Sequence, residues 1–425
     1  MIKKVSILSL LAISSMALTL DQSVDLALKN STKLGEIKLN KDIKKYNKEQ
    51  KQGLKYGELS IVGSFDHYNL PRTLAPIAPP ISPNTPTTQD LFSVGINYSV
   101  ALFTGFAQTK SVEIEELQQN SAVMLENLTK QQIIYNVKSL YLSLLSLNKQ
   151  LSSLDEYLQA QKDLVEIIKT EVELGKKAYI DELKVQNDLE ATKANKQKIM
   201  TNIEILKASL AYFTNSPIEN LKDIDINVKG IAFDFSDLSS LEKLRILNLT
   251  LKAQEKKIDI TKSSYYPQVS LNGYYGENFG YNDSDNINSG DFNSENIWQV
   301  GIKVKYNLYD FGSRSAAVES AKLQKLQSKI KMYDTQREIQ KDVNSAIAKF
   351  KESIANYKSA SSQYKLLIET AEIEKVRYDN GASTINDLLF INAQRELSKA
   401  KMIDSKYNYQ KAIYYIEYLL EKGNK

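Results

Sequence analysis

The chain has 425 residues, of which 42% are hydrophobic and 25% are charged, a composition typical of folded proteins. Its net charge of +4 is small for this length, so a nucleic-acid partner is not expected. There is no cysteine and only one histidine, which excludes disulfide bonds, thiolate chemistry and a cysteine-based zinc site. We expect no cofactor and no metal.

Residues 1–17 have the pattern of a secretory signal peptide. Lys3 and Lys4 precede an apolar stretch from Val5 to Ile13, and small residues end at Ala17. We therefore predict export and cleavage after Ala17; the alternative is a buried first helix. Because no run of about 20 apolar residues follows, the exported chain is either soluble or crosses a membrane as a barrel.

The mature chain opens with a predicted helix from Asp21 to about Lys55, with an acidic first turn. A predicted strand pair at about residues 58–102 follows. Between its strands we expect an irregular exposed loop, because six of the eight prolines lie from Pro71 to Pro86. From Phe92 to Leu102 apolar and polar residues alternate strictly, which indicates a strand with one apolar and one polar face.

A second strand pair is predicted at about residues 267–308. Its apolar face runs from Trp298 to Leu308, and its other face carries Lys303 and Lys305. Aromatic residues at the ends of such faces are typical of the two interfaces of a membrane barrel. The expected membrane-interface aromatics are Phe92, Tyr98, Trp298 and Tyr306.

The alternative for these strands is a soluble sandwich. Two separate hairpins are too little sheet for a sandwich, and the lysines need water on the non-core face. A membrane barrel fits better, but even the smallest outer-membrane barrels need about eight strands. Several chains must therefore contribute, and three copies would supply twelve strands.

Long helices are predicted at about 106–174 and 312–378, with return helices at 181–215 and 385–420. Apolar residues from Val137 to Leu158 recur at steps of three and four, which predicts left-handed coiled-coil packing. Residues 217–237 form an equatorial linker that we expect to pack around the middle.

The chain carries an internal duplication. Val94 recurs as Val300, Gly175 as Gly381 and Asp181 as Asp387, all at a shift of 206 positions. The two predicted repeats cover residues 18–216 and 238–425.

With these features the chain resembles the outer membrane efflux protein family, the TolC-like channels. The resemblance is carried by the opening Leu18–Leu28, by Tyr266–Leu271 entering a strand and by Leu308–Gly312 leaving one. The twin turns that start at Gly175 and Gly381 complete it.

The resemblance implies a membrane α+β fold in which a homotrimer forms a twelve-stranded outer-membrane β-barrel, continued by a periplasmic α-helical coiled-coil barrel. It also implies the function of an exit duct for a tripartite efflux pump or a type I secretion system. The implied partners are two further copies of the chain, a periplasmic adaptor protein, an inner-membrane transporter and the lipid of the outer membrane.

The resemblance places the periplasmic gate and the docking tips at the twin turns. The gate candidates are Asp181, Tyr378, Asp387 and Phe390. The adaptor-docking tips are Leu174, Gly175, Lys176, Asn380, Gly381 and Ala382. Helix capping by the two aspartates and ordinary glycine C-caps are the structural alternatives. Ser383 departs from the family pattern, so a hydrogen bond of Tyr378 or a constriction at Phe390 stands in for a salt-bridge latch.

Two functions remain open from the sequence. The first is a passive channel whose energy comes from partners. The second is an exported periplasmic coiled-coil interaction protein without a pore. We expect no catalysis, because no nucleophile–base pair or phosphate-binding loop is present. His67 shares a strand face with Ile61 and Phe65, which argues against a metal site built from three copies of this histidine.

Overall fold

The computed structural model describes residues 17–235, 237–283, 285 and 289–423. Residues 1–16 of the predicted signal peptide lie outside this range. Within the described residues, no helix has both the length and the apolar character needed to span a membrane.

The first half of the chain forms four helices and two strands. They are α1 (Leu20–Asn30), α2 (Thr32–Gly53), β1 (Glu58–Thr73), β2 (Thr87–Phe103), α3 (Ala107–Glu173) and α4 (Tyr179–Thr214). The second half forms α5 (Glu242–Lys262), β3 (Gln268–Tyr281), β4 (Phe292–Lys305), α6 (Ser313–Asp379) and α7 (Ile385–Leu419). The two long helices, α3 and α6, have 67 residues each.

The first predicted helix is two helices, because the backbone of Ser31 is extended (φ −65°, ψ 112°). Side-chain hydrogen bonds hold the backbone on both sides of this break. The Asn30 amide donates to the carbonyl of Thr214 over 2.5 Å, and the Leu34 N–H donates to the Ser31 hydroxyl over 3.1 Å. The break is therefore stabilised by a contact 184 positions away and by a local N-cap of the helix that follows.

Two strand boundaries also differ from the prediction. β1 continues through Pro71 to Thr73, although Pro71 was assigned to the loop. A proline is tolerated there because β1 is an edge strand and its pairing with β2 is interrupted between His67 and Arg72. β4 ends at Lys305, so the prediction of strand up to residue 308 was wrong.

The four strands form one antiparallel sheet in the order β1-β2-β3-β4. The predicted alternation is confirmed, because the register aligns apolar side chains of all four strands on one face. One row across the sheet shows it: Ile61, Ile96, Tyr275 and Trp298. Serine, asparagine, glutamine and lysine side chains dominate the opposite face.

Two glycines make room for an aromatic ring on that polar face. Gly95 pairs directly with Gly276, and the ring of Tyr274 lies across both. A Cβ atom at Gly276 would lie 2.6 Å from the carbonyl oxygen of Val94. The close approach of backbone and ring therefore requires glycine here.

The described residues belong to two compact units. One unit is formed within residues 1–37, 125–243 and 335–425, and the other within 38–124 and 244–334. Each predicted repeat contributes to both units. The repeat boundaries at residues 216 and 238 are therefore not boundaries between compact units.

The core of the first unit is built on one stretch of α3. Its fully buried members include Val137, Tyr141, Leu142 and Leu144. Ile218 and Ile226 of the equatorial linker are buried in the same core. The Tyr141 hydroxyl lies 2.8 Å from the Leu18 carbonyl and 2.6 Å from the Lys222 carbonyl. Loss of hydration in this core raises the pKa of Tyr141 to about 12.

Candidate functional site

Each of the two long helices ends in a turn, and the two turns have the same hydrogen-bond pattern. At the end of α3, Gly175 is left-handed (φ +71°) and its N–H donates to the Val172 carbonyl over 2.9 Å. The Lys176 N–H donates to the Glu171 carbonyl over 2.8 Å. These two bonds define a Schellman motif, which satisfies carbonyl groups that the helix end leaves free.

The end of α6 repeats this motif 206 positions later. Gly381 is left-handed (φ +73°), its N–H donates to the Tyr378 carbonyl over 2.9 Å, and the Ala382 N–H donates to the Arg377 carbonyl over 2.8 Å. No atom lies within 4 Å of a Cβ built at Gly175 or Gly381. The backbone conformation, and not a lack of space, therefore favours glycine at both turns.

The helices that follow the turns begin differently. At α7, the Asp387 N–H donates to the Thr384 hydroxyl over 3.2 Å, and the Thr384 N–H donates to the Asp387 carboxylate over 3.1 Å. This is a capping box. The hydrogen bond from the Thr384 hydroxyl lowers the pKa of Asp387 below its usual range. The structure thus gives Asp387 the capping role.

Asp181 does not cap a helix with its side chain. Helix α4 begins at Tyr179, two residues before the predicted start, and its N-cap residue is Ala178. Asp181 lies in the first turn, where the helix dipole favours a negative charge, and its carboxylate lies 3.5 Å from the Lys184 ammonium.

A small apolar cluster joins the two turns. Its buried members are Ile168, Val185, Tyr378, Ile385 and Leu388. Tyr378 is only 8% exposed, and its hydroxyl has no hydrogen-bond partner among the described residues. The Lys177 ammonium lies 4.3 Å from the centre of the Tyr378 ring. Burial raises the pKa of Tyr378 above its usual value and outweighs the proximity of the Lys177 ammonium to the hydroxyl, which acts to lower this pKa.

A polar network lies beside the second turn and was not predicted from the sequence. The carboxylate of buried Glu374 accepts a hydrogen bond from the Ser383 hydroxyl and lies 3.1 Å from the Arg377 guanidinium. Arg377 also donates to the Ala382 carbonyl over 3.4 Å. The ion pair within this network could have been predicted from the sequence, because Glu374 and Arg377 are three positions apart and such residues are neighbours on a helix.

The predicted docking tips are all exposed. This holds for Leu174, Gly175, Lys176, Asn380, Gly381 and Ala382. Phe390 is exposed as well, whereas Tyr378 is buried. The structure therefore brings the two turns together and presents their apices and Phe390 to the surroundings.

The four predicted membrane-interface aromatic residues lie at different positions along the strands. Phe92 is part of an aromatic row across all four strands near the hairpin loops, with Phe65 at 4.7 Å and Phe279 at 5.7 Å between ring centres. Trp298 lies in the middle of β4, where it begins the apolar run of its face, because Asn296 precedes it and Val300 follows it on that face. Its place at a membrane interface stays a prediction.

Tyr98 and Tyr306 lie toward the helical end. The Tyr98 hydroxyl donates to the carbonyl of Tyr56 over 2.7 Å. Tyr306 follows the last residue of β4.

Metal-ligand geometry is not found in the described part of the chain, where no three His, Cys, Asp or Glu side chains come close enough to hold an ion. The only histidine, His67, places its Nδ1 atom 2.7 Å from an Asp90 carboxylate oxygen on an exposed part of the sheet.

Comparison with known proteins gives a consistent result. The sequence profile of the outer membrane efflux protein family matches residues 23–215 and 238–417. The outer membrane protein TolC of Vibrio cholerae is 25% identical over 347 residues, which cover 77% of this chain and 76% of that protein. Nodulation protein T of Rhizobium leguminosarum is 21% identical over 301 residues, 68% of this chain and 62% of that protein.

Solved structures share the fold. The CmeC outer membrane channel of Campylobacter jejuni superposes with a TM-score of 0.82 at 18% identity, covering 95% of this chain and 86% of CmeC. The open state of the MtrE outer membrane channel of Neisseria gonorrhoeae gives 0.79 at 18% identity, covering 97% and 94%. Because the family profile matches most of the sequence, the chain belongs to the outer membrane efflux protein family, whose members lie in the outer membrane with their helical body in the periplasm.

Proposed function

We propose that three copies of this chain form a passive channel that serves as the exit duct of a tripartite efflux pump or a type I secretion system. Each copy contributes its four strands to one twelve-stranded barrel. The periplasmic adaptor and the inner-membrane transporter of such a system supply contact and energy, and the duct itself carries out no catalysis.

The observation that carries this proposal is a four-stranded sheet whose two edge strands are each paired on one side only and whose apolar face is exposed. The outer strands, β1 and β4, run antiparallel, so β4 of one copy can pair with β1 of the next in the same antiparallel pattern. On the apolar face, Ile61 is 82% exposed and Trp298 is 72% exposed. Lipid would cover this face, and closure of the barrel would remove the free edges.

The polar face supports a water-filled interior. In a closed barrel, the face opposite the lipid lines the lumen. Here that face carries Asn97, Asn272, Gln299 and Lys303, groups that need water. The alternative, an interaction protein without a pore, leaves the apolar face in water, where a large apolar patch favours association.

The paired turns are the proposed gate and docking surface. In a trimer, each turn would occur three times around one axis, and Asp181 and Asp387 would form rings of negative charge that attract cations. Buried Tyr378 would hold the two turns of one copy together, while Phe390 would narrow the opening. The exposed tips from Leu174 and from Asn380 would receive the adaptor. The matching Schellman turns support an internal duplication as the origin of this pairing.

Cysteine cross-linking tests the barrel directly, because the natural chain has no cysteine. Ser60→Cys on β1 would be combined in turn with Gln299→Cys, Gly301→Cys and Lys303→Cys on β4. All four positions lie on the polar face, so one register of the proposed junction brings one pair together. Oxidation in outer membranes should then produce covalent dimers and trimers for that pair.

The matched control is Asn97→Cys combined with Gln299→Cys. Asn97 lies on the same face but on the inner strand β2, so it should not cross-link to a neighbouring copy. Absence of intermolecular bonds in the whole series would contradict the proposed junction. Cross-linking of the control as strongly as the best pair would show that the bonds come from random collisions.

A further inference from the structure

Both strand-to-helix junctions contain two consecutive left-handed residues. Before α3 these are Gly105 (φ +61°) and Phe106 (φ +69°), and before α6 they are Phe311 (φ +53°) and Gly312 (φ +88°). At the repeat shift of 206, Gly105 corresponds to Phe311 and Phe106 to Gly312. Each junction therefore pairs one glycine with one phenylalanine, in opposite order.

A bulky residue in this backbone region is an outlier that persists only where surrounding interactions compensate for the strain. Space explains one of the glycines, since a Cβ at Gly105 would lie 2.6 Å from the carbonyl oxygen of Ser263. Nothing comparable explains the phenylalanines, because glycine would adopt the same backbone at residues 106 and 311 without strain. The strain at these two positions must therefore be offset by contacts that the phenyl rings make.

Contacts within the described chain cover these rings poorly. Phe106 meets Phe103 edge-on at 5.4 Å and Tyr266 at 6.3 Å between ring centres, yet it is 59% exposed. Phe311 meets Tyr309 at 4.8 Å and is 90% exposed. In water, rings so exposed would gain little from burial.

The surroundings of the rings indicate what covers them. Leu102 precedes the first junction, Tyr306 and Leu308 precede the second, and all three are exposed. Leu102 lies at the register shift of β2 and the other two follow the end of β4, so exposed apolar side chains surround the end of the sheet where the strands meet the helices. Aromatic rings at the end of a membrane-spanning face match the headgroup region of a bilayer, where amphipathic and aromatic side chains concentrate.

The second junction is held rigidly. The Arg314 side chain places its Nε 2.8 Å from the Asp310 carboxylate, donates to the Ser264 carbonyl over 3.2 Å, and stacks on the Tyr265 ring at 4.9 Å. The Arg314 N–H also donates to Asp310 over 2.9 Å. The Phe311 ring is thus presented outward from a fixed base and not from a loose loop.

We propose that Phe106 and Phe311 insert into the boundary between headgroups and acyl chains of the periplasmic leaflet and fix the depth of the barrel in the membrane. The occupant of this surface is phospholipid. The inference rests on the proposed barrel and adds to it the residues that set its position.

The single tryptophan of the chain makes a sharp test possible. In a Trp298→Phe background, Phe311→Trp and, separately, Phe106→Trp would each provide one reporter. Tyr179→Trp, at the exposed turn, is the matched control in the same background. The proteins would be reconstituted in phosphatidylcholine vesicles with bromine either near the headgroup or near the end of the acyl chain.

The junction reporters should lose most of their emission with bromine near the headgroup and much less with bromine deep in the bilayer. The Tyr179→Trp control should be insensitive to both lipids. Junction reporters that resist brominated lipid and respond to aqueous iodide would overturn the inference, since the rings would then lie in water. Resistance to both quenchers would also overturn it, because a neighbouring copy would then cover the rings.

The natural protein separates this inference from the proposed function. Its Trp298 lies on the apolar face in the middle of β4, so lipid bromine should quench it if the barrel spans the bilayer. Quenching of Trp298 without quenching at the junctions would reject only the anchoring role. No quenching of Trp298 would reject the barrel itself.

Discussion

The buried hydroxyl of Tyr378 gives the most specific prediction about the paired turns. The group is enclosed by its own chain and has no hydrogen-bond partner among the described residues. Such a group loses its hydration on folding and gains no bond in return. We therefore expect Tyr378→Phe to stabilise the turns rather than to weaken them.

The size of the effect follows from two opposing contributions. A buried hydroxyl without a partner costs about 1–3 kcal/mol, and its removal recovers part of that free energy. The small void left by the oxygen atom reduces the gain. The contact of the Lys177 ammonium with the ring face remains in the variant, because phenylalanine also offers a π face, but the attraction of Lys177 to the hydroxyl is lost. A net stabilisation of about 1 kcal/mol lowers the population of the locally open state about five-fold.

Hydrogen–deuterium exchange measures this local stability, because global melting does not report on one end of the molecule. Peptides covering residues 372–392 of the detergent-solubilised protein should exchange about five-fold more slowly in Tyr378→Phe. Tyr179→Phe is the matched control, since Tyr179 is 64% exposed at the same turns and should leave exchange unchanged. Faster exchange in Tyr378→Phe would refute the reasoning, because the hydroxyl would then have a bond to lose.

Three further perturbations test other parts of the account. Gly175→Ala should destabilise its turn by about 1 kcal/mol, because alanine is disfavoured in the left-handed backbone of this position. Gly35→Ala, inside α2, should be neutral or stabilising, and local amide exchange measures both effects. Gly276→Ala should lower the melting temperature by forcing a Cβ into the sheet backbone, at a cost of about 1–3 kcal/mol, whereas Gly273→Ala has open space and should not. The lowered pKa of Asp387 means that its capping contribution is present at neutral pH and lost as pH falls through that pKa. Protection of the first turn of α7, measured as its exchange rate relative to the intrinsic amide rate at the same pH, should therefore fall in acid, and Asp387→Asn should abolish this pH dependence.

The elements that were predictable from the sequence are those with a local repeating pattern. β2 alternates with a period of two, and α3 repeats its apolar residues every three or four positions, so their faces follow from neighbouring residues alone. The paired turns were predictable because left-handed glycines carry a conformational signal.

Features that depend on distant contacts were not predictable. The hydrogen bond from Asn30 to Thr214 beside the break at Ser31 follows from no local pattern, and neither does the packing of Tyr378 with Val185 from another helix. The left-handed backbone at Phe311 runs against the usual preference of phenylalanine, so a reading of propensities assigns it no special role. The structure alone shows that Phe106 and Phe311 have left-handed backbones at two corresponding junctions and that both rings are exposed.

The central claim is that one copy cannot close its sheet and that three copies share a barrel. Native mass spectrometry of the protein released from detergent tests this most directly. The account predicts a single assembly with three times the mass of one processed chain, formed without any partner protein. A monomer or a dimer that nevertheless conducts ions in a planar bilayer would contradict it.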